Sequence, residues 1–71
     1  MVIRFELPKT QLVKLELFDI TGRLVKEVAR QSFATGEHRI IVDGTGLASG
    51  IYFAKLNAGE FHAVQKLVLL K

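Results

Sequence analysis

Apolar residues recur at every second position over most of this chain, and that periodicity most narrows what it can fold into. Ile3, Phe5 and Leu7 alternate with Val2, Arg4 and Glu6; Val13, Leu15 and Leu17 alternate with Lys14 and Glu16; Tyr52, Ala54 and Leu56 alternate with Phe53 and Lys55. An extended strand points successive side chains to opposite faces, so each run has one face for a core and one for water. The pattern predicts an all-β chain of six short strands.

The strand ends follow from turn chemistry. Pro8 closes the first strand because it has no ladder donor. The second ends at Asp19, and Ile20-Thr21-Gly22-Arg23 makes a tight turn in which Gly22 supplies the positive φ that hairpins need. In Leu24 to Arg30 the spacing of Leu24, Val25, Val28 and Ala29 also suits a short helix, but glycine turns on both sides favour a strand. Gly36 opens a fourth strand over residues 37 to 43, carrying His38, Ile40 and Val42. A glycine-rich loop follows, with Leu47 as a plug for the end of the core, and Gly50 lets the chain re-enter a strand. Tyr52 can bury its ring while its hydroxyl finds a partner. Asn57-Ala58-Gly59-Glu60 reads as a hairpin loop. The last strand, Phe61 to Leu70, is apolar on both parities toward its end, which implies burial on both sides, a bulge, or an edge meant for a partner.

Turns about every 8 to 12 residues predict two packed antiparallel sheets, with a barrel as the alternative. Seventy-one residues make one domain, and without cysteine there is no disulfide or thiolate metal site to staple it. The hydrophobic fraction of 49% therefore has to hold the fold alone. The net charge of +3 comes from ten cations that never sit side by side, which reads as a solvated surface and points away from nucleic acid. Arg4 with Glu6 and Lys14 with Glu16 place opposite charges on one strand face. No apolar stretch has the length of a membrane span, and Arg4, Glu6 and Pro8 interrupt any apolar leader core. Entry into a strand at the first residues predicts either a very small protein or a domain of a longer one.

Chemistry finds little to work with, and no catalytic, metal or cofactor residue is assigned. His38 and His62 stand alone in separate strands, at the core edge or the surface. Thr21, Thr45 and Ser49 have no neighbouring histidine to activate them. Asp19 and Asp43 are the best-placed carboxylate couple, but each precedes a glycine turn and reads as a turn former. Gly44-Thr45-Gly46 lacks the lysine and helix of a phosphate loop. Among the aromatics, Phe18, Phe33 and Phe53 are the three that a sugar-binding platform would expose.

Four segments in order, IRFELP, LELFDITGRLVKEV, GEHRIIVDGTGLASGIYFAKL and QKLVLLK, together resemble the C-terminal sorting domain of type IX secretion cargo from Bacteroidetes. The same pattern resembles the immunoglobulin-like domain of flagellar hook-capping proteins. The resemblance implies a small immunoglobulin-like β-sandwich of six to seven strands, with Asp19, Gly22, Gly36, Gly50 and Tyr52 as structural motif residues. It implies a non-enzymatic targeting module at the end of a larger exported protein, without cofactors, bound for secretion or the cell surface by way of the periplasm and outer membrane. Its partners would be the outer-membrane secretion machinery and an upstream cargo domain, with Lys66, Leu67, Val68, Leu69, Leu70 and Lys71 as the recognition strand. A carbohydrate-binding accessory domain or a hook-cap-like assembly domain is the alternative. Two departures carry further expectations. An Asn-Pro segment usual before the first strand is missing here, which would leave a sheet edge open to dimers or strand exchange. Val42 stands where a large aromatic is common, so the core would pack differently.

Overall fold

A computed structural model describes residues 1–71. Six strands follow one another without a helix: β1 (Val2–Leu7), β2 (Gln11–Asp19), β3 (Leu24–Phe33), β4 (Gly36–Ile41), β5 (Gly50–Ala58) and β6 (Phe61–Leu69). They form a four-stranded sheet in the order β3-β2-β5-β6 and a two-stranded sheet β1-β4, and every pairing is antiparallel. The architecture is that of a small immunoglobulin-like sandwich, with one sheet much wider than the other.

The alternation seen in the sequence is the alternation of burial. Ile3, Phe5 and Leu7 of β1, Val13, Leu15 and Leu17 of β2, and Tyr52, Ala54, Leu56 and Ala58 of β5 face inward, joined by Val42 and Leu67. Leu7, Val13, Leu15 and Leu17 are fully enclosed. Val42 is itself buried just past the end of β4, where its N–H donates to the Met1 carbonyl at 2.7 Å and its carbonyl accepts from the Met1 ammonium at 3.1 Å.

The helix-like spacing of Leu24 to Arg30 has a specific cause. Two register shifts interrupt the β2–β3 ladder, so that Ala29 faces Leu15, Glu27 faces Glu16, Lys26 faces Leu17 and Leu24 faces Phe18. Val28 and Val25 are thereby the extra residues of two bulges, and a bulge locally breaks the period of two. Val25, Val28 and Ala29 all turn partly onto the core, which imitates a three-to-four repeat.

Several boundaries differ from the sequence reading. β3 continues to Phe33, β4 stops at Ile41, and β5 begins at Gly50. The turn before β6 is only Gly59-Glu60, because Ala58 pairs with Phe61 and Asn57 with His62. A two-residue hairpin needs positive φ in its centre, and Gly59 supplies it at 60°.

Candidate functional site

The motif residues build turns and close the end of the sandwich. Asp19 Oδ1 accepts from the Thr21 N–H at 2.9 Å, the Thr21 hydroxyl at 2.6 Å and the Arg23 N–H at 3.1 Å, while Gly22 crosses the turn at φ 88°. Asp43 repeats the arrangement, accepting from the Thr45 N–H at 2.9 Å and the Thr45 hydroxyl at 2.7 Å. The Thr21 hydroxyl, then the Arg23 N–H, hold the Asp19 carboxyl below its ordinary value; the Thr45 hydroxyl and N–H do the same for Asp43. Both carboxylates are thus engaged by their own turns, as turn formers are. Gly36 begins β4 at φ 115°, Gly50 begins β5, and the buried Tyr52 donates its hydroxyl to the Ala48 carbonyl at 2.6 Å.

The histidines occupy different places. His38 stacks on Phe5 with ring centroids 5.3 Å apart, and its Nε2 lies 2.7 Å from the Ala34 carbonyl. His62 is exposed and bonds to the Asn57 side chain across the β5–β6 pair. Phe33 is a correction to the sequence reading: it packs edge-on against Phe5 at 5.3 Å, at the core rim, and cannot line up with Phe18 and Phe53. Those two are half-buried neighbours on the opposite, outer face of the wide sheet.

The last strand is an edge with one face open to solvent and no bulge, which removes two of the three possibilities left open by its composition. β6 pairs with β5 along all nine of its residues without a bulge, and its other flank is unpaired. Leu67 enters the core, and Leu69 packs partly onto it. Val68 and Leu70 point to solvent, while the Lys71 N–H donates to Ser49 Oγ at 3.0 Å. Lys66 and Lys71 are exposed. The predicted recognition residues are therefore of two kinds: Leu67 and Leu69 hold the strand down, and the others are displayed.

The remaining edges are guarded. β3 carries two bulges and the charges Lys26, Glu27 and Arg30; β1 carries Arg4 and Glu6 and stops at Pro8; β4 carries Glu37 and Arg39. Bulges, charges and proline are how sheets discourage edge-to-edge pairing, and β6 has a single lysine, Lys66, for that purpose. Between β6 and the free edge of β1 lies a slot of about 60 Å³, floored by Leu15, Ala54 and Leu56. The narrow second sheet leaves Phe61, Ala63 and Gln65 of β6 exposed on the inner side.

Sequence reasoning missed the outer apolar group around Phe18 and Phe53. Cross-strand partners place Leu24, Phe18 and Phe53 in one row and Ile51 beside Val68 in another, with Val64 opposite Lys55. The signal was the parity of the two phenylalanines, which fall out of phase with the buried residues of their strands. The rows that join them require the pairing of β2 with the distant β5, and of β5 with β6.

The family model described as "Secretion system C-terminal sorting domain" matches residues 1–70 of the chain. No curated protein and no solved structure matches it. Matched over nearly its whole length, and folded as the compact all-β module that the ordered motifs imply, the chain belongs to the family of C-terminal sorting domains that direct type IX secretion through the outer membrane to the cell surface or the extracellular space.

Proposed function

We propose that residues 1–71 are the non-enzymatic sorting module of a larger exported protein, and that the secretion machinery reads the displayed flank of β6. The observation that carries this reading is that β6 has no bulge, no proline and a single charged side chain, Lys66, whereas each of the other three outer strand edges carries at least two charged side chains. An added strand would gain main-chain hydrogen bonds along β6 and cover Phe61, Ala63 and Gln65. The same open edge of β6 supports self-association or strand exchange. A carbohydrate platform has weaker support, since only two of its three expected rings share a face.

Deleting residues 66 to 71 would take Leu67 out of the core and so mix folding with recognition. The cleaner test replaces displayed residues only: Val68→Asp with Leu70→Asp in a reporter carrying residues 1–71 at its C-terminus. Export in a host with type IX machinery is expected to fall severalfold while the thermal midpoint stays unchanged. Unchanged export would remove β6 from the role proposed for it.

A further inference from the structure

We infer that one half of the outer face of the wide sheet docks a protein segment that presents a large apolar side chain flanked by carboxylates. The face divides in two along its strands. In one half Arg30 Nε meets Glu27 at 3.0 Å, Lys14 Nζ meets Glu16 at 3.7 Å, and Asn57 bonds to His62. Apart from the exposed Leu12, that half is polar, and its charges are matched.

The other half, toward the Asp19–Gly22 turn, is apolar. Phe18 and Phe53 are half-buried, Leu24 is 48% exposed, Val68 55%, Val64 65% and Ile20 69%. Phe18, Ile20, Phe53 and Val64 enclose a shallow cleft of about 320 Å³, with Lys55 on its rim. Contiguous exposed apolar surface of this kind marks interaction sites more often than bare solvent contact. Ile20 and Val64 share the cleft with the two phenylalanines, and Leu24 and Val68 extend the same apolar half, a mixture that suits a protein side chain better than a sugar ring.

Charge specifies the occupant further. Lys66 lies opposite Phe53 and Lys55 opposite Val64, on the same face as the cleft, and neither is in an ion pair. Glu16, across from Lys55 on β2, is engaged by Lys14, and Asp19 on the rim is engaged by its turn and by Arg23 at 3.5 Å. Two unmatched cations beside an apolar cleft, on a face whose other charges are matched, fit a segment with carboxylates next to its apolar anchor. The inference rests on the sorting reading only for where such a segment would be met.

The test titrates the isotope-labelled full chain, followed by amide shifts, with two 13-residue peptides that differ in charge alone. One has a central tryptophan flanked by glutamates, the other the same tryptophan flanked by lysines; a neutral glucose hexasaccharide is the third probe. The glutamate peptide is expected to shift Phe18, Phe53, Lys55, Val64 and Lys66 and to bind roughly tenfold tighter than the lysine peptide. Lys55→Glu with Lys66→Glu, both at exposed positions, is expected to reverse that order. Shifts centred elsewhere, equal affinity for both peptides, no binding by either, or a response to the hexasaccharide alone would each overturn the inference. Failure of the wild-type chain to direct export would strike the sorting reading and leave these titrations unaffected.

Discussion

Two short stretches, Asp19-Ile20-Thr21-Gly22 and Asp43-Gly44-Thr45-Gly46, use the same residue chemistry to turn the chain. In each, the carboxylate takes the threonine N–H and hydroxyl, so the turn is tied while the aspartate is ionised. Because both carboxyls sit below their ordinary value of 3.8 in the folded chain, the unfolded chain binds protons first as acid is added. The stability these turns contribute is complete above that value and is lost as the pH falls through the lower folded values. Urea titrations are therefore expected to give a flat midpoint above about pH 5 and a falling one below pH 4, with a shallower fall in Asp19→Asn and Asp43→Asn. An unchanged acid slope in both variants would mean that other carboxylates carry the effect. These residues were legible in the sequence, because the turn chemistry of Asp, Thr and Gly is local. Phe33 was not, since only its neighbours Phe5 and His38, brought up by distant strands, decide that it faces the core.

At the scale of the strand, local pattern predicted five elements, some with displaced ends, and blurred at β3, where two bulges put Val25 and Val28 out of phase. A bulge is defined by what the partner strand does, and periodicity within one strand cannot show it. β6 shows the same limit. Its double apolar parity was visible, but only its place at the end of the β3-β2-β5-β6 order makes it an edge. The strand is nevertheless anchored, with Leu67 7% exposed and opposite Tyr52. Leu67→Ala is expected to lower the free energy of unfolding by about 2 to 5 kcal/mol, as for other enclosed leucines, measured by urea denaturation. A change within a few tenths of a kcal/mol would show that β6 is held by its main chain alone.

For the molecule as a whole, the family and the sandwich class were legible, whereas the division into four strands and two was not. That division follows from which distant strands pair, and it has consequences for function. A two-stranded sheet is too narrow to cover the inner side of β6, so the molecule keeps an open side that ends in a slot beside β1. The open side and the outer cleft are where so small a chain leaves apolar surface uncovered. We propose that this sandwich is itself sufficient as the address. A periplasm-directed fluorescent reporter ending in residues 1–71, expressed in a host with type IX machinery and followed by fractionation, tests it most directly. Reporter is expected on the cell surface or in the medium, with none there when the machinery is deleted. Folded reporter retained in the periplasm of the intact host would contradict it.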